Sequence, residues 1–257
     1  MSYKFAVGMY SVRHEMAKDL LGTLREVKAM GYEGVEFFGD FDRTAQEIKA
    51  ALDDTGLVCV GWHTPWHRVV GENLMSTIEY NKALGNTEIV IPSLPREMKG
   101  SKAAWLDSAK QFNEVAEKLK DHGMKLAYHN HSEEFKAVEG DLPIRYLFDN
   151  TIPEVGLQLD NGNAFSAGPD TDIYDPIIRY KNRARTLHHK PYSLKTGFAA
   201  MIGEDDIDWP RYFKLVGENQ NIEWHIVEYE STSSTPQMES IRNCINNLKA
   251  MEANGRI

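Results

Sequence analysis

The sequence predicts a single (β/α)8 TIM barrel, an α/β fold that extends over residues 1–257 as one domain. Three observations lead to this prediction. Eight short apolar runs alternate with amphipathic stretches, the runs are apolar throughout as in a parallel sheet covered on both faces, and the chain length suits one barrel. The runs are KFAVGMY, GVEFFG, LVCVGWH, EIVIPSL, KLAYHNH, VGLQLDN, ARTLHHK and WHIVEYE.

The segment after the first run predicts an amphipathic helix. Met16, Leu20, Leu24 and Val27 follow helical spacing and would form one apolar stripe against the sheet. Gly31 stands where a helix end favours a residue in the left-handed conformation. This segment therefore completes a first βα unit.

Later helices carry clear signals at their ends. Thr44 and Glu47 have the spacing of a capping box, and Gly56 marks the end of the same helix. A longer helix is expected to end at Gly123, and the last helix to begin at Pro236. An open, doubly wound sheet is the competing arrangement, but GMYSVRHE after the first run lacks the GxGxxG pattern of that fold.

Composition narrows the classes of function. The net charge of −9, without a basic run, argues against a nucleic-acid substrate. No apolar run reaches the roughly 20 residues of a membrane helix, and the first residues do not resemble a signal peptide. Cys59 and Cys244 form no CxxC pair, so we expect two packed thiols in a reducing, cytoplasmic setting. Trp66 and Trp209, near predicted loops, suggest a homo-oligomer.

Polar residues gather where the predicted strands end. Arg13, Glu36 and His63 follow or end the first three strands and are candidates for substrate binding. The last four strands end in YHNHSEEF, LDNGN, LHHK and VEYE, which all contain metal-binding residue types. A barrel core otherwise favours Val, Ile and Leu at such positions. Together these strand ends predict a metal site.

The motifs GYEGVEFFG, YHNHSEEF, LDNGN, HHK with IGEDDIDW, and IVEYE resemble those of the xylose isomerase-like barrel superfamily. This superfamily of sugar isomerases and epimerases also includes inosose dehydratases, ketose 3-epimerases and endonuclease IV. The resemblance extends over almost the whole chain, and it implies one metal held by Glu134, Asp160, His188 and Glu228.

The ligand from the fifth strand has alternatives. Glu133 is adjacent to Glu134, and His129 or His131 could reach inward instead. His131 could also orient a ligand through its other ring nitrogen. The family often has His at the position of Asn163, so this chain differs there.

Two further departures concern the pocket. The family often has Asp where Pro191 stands and commonly Gln where Tyr229 stands. Pro191 can neither bind a charge nor donate a backbone hydrogen bond, whereas an asparagine such as Asn163 can still bind a sugar hydroxyl. These positions therefore give no basis for assigning a substrate of the family to this chain.

Three carboxylates and one imidazole favour Mn²⁺, with Mg²⁺, Co²⁺ or Zn²⁺ as alternatives. A metal on a carbonyl and its neighbouring hydroxyl would stabilise an enediolate, with Glu134 and Glu228 moving the proton. Lys190 would supply a fixed positive charge, and His129 or His131 an acid for an elimination. His129 and Asn163 are also candidates for substrate binding.

These residues predict a metal-dependent isomerase or epimerase that acts on a keto- or aldo-sugar. The same intermediate has three fates: reprotonation, proton transfer between carbons, or loss of a β-substituent. Because the last of these is an elimination, a dehydratase or other lyase acting on a keto-sugar or keto-glycoside is the alternative. A non-catalytic sugar-binding or partner subunit is a further alternative. An endonuclease would need more histidine ligands and a basic face.

Overall fold

The computed structural model describes residues 3–233 and 235–257, and these residues confirm the TIM barrel. Within them, eight parallel strands form one sheet. The strands are β1 (Phe5–Gly8), β2 (Gly34–Phe38), β3 (Val58–His63), β4 (Glu88–Ile91), β5 (Lys125–His129), β6 (Val155–Gln158), β7 (Thr186–His189) and β8 (Trp224–Val227).

The helices of the described residues surround this sheet. They are α1 (Arg13–Lys18), α2 (Leu20–Ala29), α3 (Ala45–Thr55), α4 (Asn73–Leu84), α5 (Lys102–Lys120), α6 (Pro143–Phe148), α7 (Asn161–Phe165), α8 (Asp175–Arg179), α9 (Trp209–Gly217) and α10 (Gln237–Ala253). The main hydrophobic core lies between the strands and these helices.

Several predicted helix ends are confirmed, and one helix differs. Thr44 and Glu47 form the capping box at the start of α3, and Gly56 ends it with a φ of 65°. The helix predicted from Met16 onward is interrupted at Asp19, whose backbone is extended. The Asp19 side chain accepts a hydrogen bond from Gly22 N and so caps α2, which explains why one helical pattern forms two helices.

The barrel closes almost completely. The strands are hydrogen-bonded in the order β6-β5-β4-β3-β2-β1-β8-β7, so β1 pairs with β8. Between β6 and β7, the backbone N of His188 donates to the carbonyl of Leu159 at 2.9 Å, and Asp160 forms a single bridge with His188. This contact brings the carboxyl ends of β6 and β7 together.

The side chains inside the barrel differ in polarity along its axis. Ala6, Val60 and Ile226 form a small buried apolar cluster, separate from the main core. At the amino end, Arg185 Nε and Nη2 donate to the two carboxylate oxygens of Glu88 at 2.8 and 2.9 Å. The carboxyl end holds the buried polar side chains described below, as expected for the functional face of this fold.

Other sequence predictions have mixed outcomes. Cys59 and Cys244 are free and buried, which confirms two packed thiols. Trp66 and Trp209 are also buried within the chain, so they give no support to self-association, which stays a prediction. No helix of the described residues is long and apolar enough to cross a membrane.

Candidate metal centre

Four side chains meet at the carboxyl ends of β5, β6, β7 and β8. They are His129, Asp160, His188 and Glu228, and one possible ligand atom of each lies within 4.8 Å of the others. All four are buried, with at most 4% of each residue exposed. Successive parallel strands of a barrel place their carboxyl ends at one face, which is why residues so distant in sequence converge.

An unsatisfied oxygen supports cation binding here. Asp160 Oδ1 accepts a hydrogen bond from the backbone N of Asn163, whereas the buried Oδ2 has no hydrogen-bond partner. Lys190 Nζ lies 3.2 Å from this oxygen without the geometry of a hydrogen bond. The ion pair with Lys190 compensates the charge of this buried oxygen, but no hydrogen-bond donor occupies its lone pairs, which leaves them available to a metal ion. Two imidazoles and two carboxylates form a donor set that binds Mn²⁺, Co²⁺ or Zn²⁺, so the residues fit a divalent ion.

A hydrogen-bonded layer lies beneath this group. Glu36 Oε2 accepts from His188 Nε2 at 2.6 Å and lies 3.0 Å from His63 Nε2. Glu36 Oε1 accepts from Gln158 Nε2 at 2.7 Å. Burial alone would raise the pKa of Glu36, but His63 and His188 lower it to about 2. Both carboxylate oxygens of Glu36 are therefore engaged within the protein.

Lys190 is the buried cation of the site. Its Nζ donates to Asn163 Oδ1 and Glu230 Oε1, both at 3.1 Å, and lies 3.5 Å from Glu228 Oε2. Only 1% of the residue is exposed. Burial disfavours its charge, but Asp160, Glu228 and Glu230 outweigh burial and raise the pKa of Lys190. The ammonium group therefore stays charged at neutral pH.

The neighbouring charges also set the ionisation of the group. Burial opposes the charge on His188, yet Glu36 and Glu228 raise its pKa to about 10. The pKa of Glu228 is held well below its usual range, against the effect of burial, by Lys190 and His188. Burial lowers the pKa of His129 well below its usual value, and His188 and His63 add to this effect. His129 is therefore neutral, which is the form that binds metals, whereas His188 would release its Nδ1 proton when a metal binds.

Glu134, the ligand expected from the resemblance, lies outside this group. Its Oε1 accepts from the Tyr128 hydroxyl at 2.5 Å, and its Oε2 accepts from the backbone N of His131 at 2.8 Å. Among the described residues, a second group of possible ligands is formed by His63, His129 and His188, and neither group includes Glu134. Glu133 is half-exposed and forms an ion pair with Lys99. The structure thus brings His129, the alternative from the same strand, to the other three residues.

The remaining predicted residues lie at varying distances from the group. The ring of His131 is 5.3 Å from that of His129, and burial followed by Lys190 lowers its pKa. His63 stacks on His188 at a ring separation of 5.2 Å. Arg13 donates to the carbonyl of Tyr10 at 2.8 Å and its guanidinium lies over the Tyr10 ring, toward solvent. Of these, His63 and His131 are adjacent to the group.

Sequence reasoning missed three polar residues of this site. Gln158 and Thr186 belong to the layer beneath the group, and Glu230 binds Lys190. Each is two residues away from a predicted ligand, Asp160, His188 or Glu228. Because alternate residues of a strand point to the same side, this spacing was the available signal.

Comparisons with known proteins agree with the fold. The family model of the xylose isomerase-like TIM barrel matches residues 24–251. A solved sugar phosphate isomerase/epimerase from Parabacteroides distasonis is 27% identical, with a TM-score of 0.80 over 97% of this chain and 94% of that one. An inosose dehydratase of Clostridium tetani is 22% identical over 244 residues, with 80% of each chain covered. A 3-keto-D-glucoside 4-epimerase from E. coli is 16% identical, with a TM-score of 0.68 over 97% of this chain and 100% of that one.

Proposed function

Because the chain belongs to the xylose isomerase-like TIM barrel family, we propose that it is a divalent-metal-dependent enzyme that isomerises or epimerises a keto- or aldo-sugar. One observation carries the proposal. His129, Asp160, His188 and Glu228 form a buried group at the functional face, with the Lys190 ammonium beside it. The sugar-converting enzymes among its relatives support the same reaction class.

These four residues would hold the ion, with His129 in place of the predicted Glu134. Manganese is our preferred metal, and cobalt, zinc or magnesium are the alternatives, because the group offers two nitrogen and two oxygen donors. A divalent ion polarises a sugar carbonyl and makes the neighbouring C–H bond more acidic. Glu228 is ionised and bonded to His188 at 2.5 Å, which suits a ligand that keeps its charge.

Two side chains can act on the substrate itself. Lys190 provides a permanent positive charge toward oxygen atoms that become negative during the reaction, because its ammonium group is fixed by Asn163 and Glu230. His131 is partly exposed and adjacent to the group, and its lowered pKa favours the neutral form that accepts a proton. We assign proton transfer to His131 and charge stabilisation to Lys190.

The charges of the site favour an uncharged sugar. Four carboxylates, those of Glu36, Asp160, Glu228 and Glu230, lie around the candidate metal centre and the buried Lys190. A phosphate group would add about two negative charges. Lys190 and the protonated His188 are both already paired with these carboxylates, which leaves no further cationic side chain among these residues to bind a phosphate. We therefore propose a neutral keto-sugar or keto-glycoside as the substrate.

A dehydratase is the second candidate function. The inosose dehydratases among the relatives favour it, and so does the position of His131 beside the group, because elimination of water requires an acid near the leaving hydroxyl. Both reactions begin with removal of the proton next to the carbonyl. The fate of that intermediate distinguishes them.

The test is an exchange experiment on the metal-loaded protein. The purified protein would be loaded with Mn²⁺, Co²⁺, Mg²⁺ or Zn²⁺, its metal content measured, and each form incubated in D2O with neutral keto-sugars, an inosose and the matching sugar phosphates. Proton NMR would follow loss of the C–H signal next to the carbonyl. We expect about one metal per chain and exchange in neutral substrates, with Asp160→Asn as the inactive control.

Product analysis then separates the candidates. An epimer or isomer supports the first function, and an alkene or dehydrated ketone supports the second. A protein that binds metal but exchanges no proton in any sugar would instead indicate a binding subunit. A protein that binds none of the four metals would overturn the proposal.

A further inference from the structure

We propose that Gln158 is a positioning residue that, together with Glu36, determines which ring nitrogen each ligand histidine presents to the metal. Gln158 is the last residue of β6, is fully buried, and forms a hydrogen bond with His129 of the candidate ligand group. This inference rests on the metal site of the proposed function. It concerns the layer beneath that site.

Gln158 uses all of its hydrogen-bonding capacity. Its Oε1 accepts from His63 Nε2 at 2.7 Å and from His129 Nδ1 at 3.0 Å. Its Nε2 donates to Glu36 Oε1 at 2.7 Å and to Thr186 Oγ1 at 2.8 Å. An ionised carboxylate only accepts hydrogen bonds, so Glu36 must face the amide NH2. The oxygen and nitrogen of the Gln158 amide have nearly the same shape, so their positions are assigned from the hydrogen bond to Glu36.

This orientation determines the proton position on His129. The carbonyl oxygen of Gln158 accepts only, so His129 Nδ1 must carry a hydrogen. An imidazole that binds a metal carries one hydrogen, and with that hydrogen on Nδ1 the lone pair lies on Nε2. His129 Nε2 lies 3.8 Å from Asp160 Oδ2, on the side of the candidate metal centre. Gln158 thus makes Nε2 the donor atom of His129.

Glu36 determines the opposite choice for His188. His188 Nε2 donates to Glu36 Oε2 at 2.6 Å, so this nitrogen points away from the group. His188 Nδ1 lies 2.5 Å from Glu228 Oε2 and 4.0 Å from Asp160 Oδ2. A carboxylate behind a ligand histidine commonly fixes its ring and raises its basicity. The two histidines therefore present different nitrogens.

Close packing holds Glu36 in this role. A Cβ atom at Gly61 would lie 2.7 Å from Glu36 Oε1, so a side chain at that position would displace the carboxylate. The pairing of β2 with β3 is irregular between Val35 and Glu36, which brings Glu36 opposite Gly61. Glycine is therefore required at position 61 for the carboxylate to reach both His188 and Gln158.

The wild-type protein gives the first test. Long-range 1H–15N spectra would be recorded on the metal-free and the Zn²⁺-loaded protein, with signals assigned through His129→Gln and His188→Gln variants. In the metal-free protein, we expect His129 to carry its hydrogen on Nδ1. On zinc loading, the nitrogens that shift should be Nε2 of His129 and Nδ1 of His188. A metal-free His129 protonated on Nε2 would overturn the inference.

Two variants and a matched control test the effect on metal binding. Gln158→Met keeps the length of the side chain and removes its hydrogen bonds, and Thr186→Val removes only one acceptor of the amide. Asn86→Leu is the control, because Asn86 is also a buried amide, bonded to Asn81 and Glu88, near the amino end of β4. We expect Gln158→Met to raise the Kd for zinc about 10- to 100-fold, measured by chelator competition.

The outcomes separate positioning from stability. Asn86→Leu should lower thermal stability and leave the zinc Kd unchanged, whereas Gln158→Met should also broaden or double the His129 signals through a mixture of tautomers. If Gln158→Met does not fold, Thr186→Val serves instead, with an expected rise in Kd of at least about threefold. A folded variant with an unchanged Kd would refute the role of Gln158. Absence of metal binding in the wild type would refute the proposed function, while the metal-free spectrum would still test the proton position on His129.

Discussion

Replacement of Glu228 by glutamine tests the site most directly. Glu228 Oε2 lies 2.5 Å from His188 Nδ1 and 3.5 Å from Lys190 Nζ, and about 5% of the side chain is exposed. Its pKa is far below the usual range because Lys190 and His188 outweigh the effect of burial, so the group is ionised at neutral pH. Glutamine keeps the shape and removes a full negative charge.

The expected change in stability is small, and the change in activity is large. Each charge-assisted hydrogen bond contributes about 1.5–3 kcal/mol, but the substitution also relieves repulsion between Glu228 and the nearby carboxylates of Asp160 and Glu230. These effects oppose one another. Loss of a metal ligand and of its charge should lower kcat by at least about 10³-fold, compared with about 10-fold for a disturbed peripheral hydrogen bond.

Glu88→Gln is a matched control for this experiment. Glu88 is also a buried glutamate, and its bidentate ion pair with Arg185 lies at the amino end of the barrel. Breaking that pair should lower the free energy of unfolding by about 3–5 kcal/mol while turnover per folded molecule stays unchanged. Metal content, circular dichroism melting and turnover would be measured for both variants. A folded Glu228→Gln protein that keeps more than about a tenth of wild-type turnover would refute its role.

Three further predictions concern other residues. His129→Gln should raise the metal Kd at least about tenfold, whereas Glu134→Gln should change it less than about threefold. A chelator titration measures both values, and the reverse result would restore Glu134 as the ligand. Burial lowers the pKa of His225 to about 3, below its unfolded value of about 6.5, so its contribution to stability is complete above pH of about 6.5 and is lost as the pH falls toward 3. Urea unfolding at pH 7.5 and 5 should show this loss, and His225→Phe, which can keep the stack on Phe213, should reduce it. Thr44→Ala removes the cap of α3 and should lower the free energy of unfolding by about 1 kcal/mol without changing metal affinity, and an unchanged melting temperature would contradict that expectation.

Local signals were sufficient to predict the barrel, because each strand and helix has its own pattern. The capping box of Thr44 and Glu47 and the left-handed Gly56 depend on residues only a few positions apart. The break between α1 and α2 was missed because Asp19 can lie within a helix or cap one, and the apolar stripe from Met16 to Val27 does not distinguish these cases. Packing against the barrel decides between them.

The candidate ligand of β5 shows a different difficulty. Glu134 was chosen by its resemblance to a family motif, but it lies five residues beyond the end of β5, in a 3-10 turn. The chain has left the regular strand there, so neither strand alternation nor spacing determines the direction of its side chain. His129 is still within β5, where alternation applies, and it is the residue that reaches the group.

Alternation in β7 explains why two adjacent histidines have different surroundings. Thr186, His188 and Lys190 contact the layer and the group inside the barrel, at intervals of two residues. His189 points outward, where its Nε2 lies 2.8 Å from Nδ1 of His225. A shift of one residue in the register of β7 would exchange these environments and place His189 inside. The motif LHHK therefore places one candidate ligand inside the barrel rather than two. The same period of two extends from Asp160 to Gln158, for which we propose the orientation of His129.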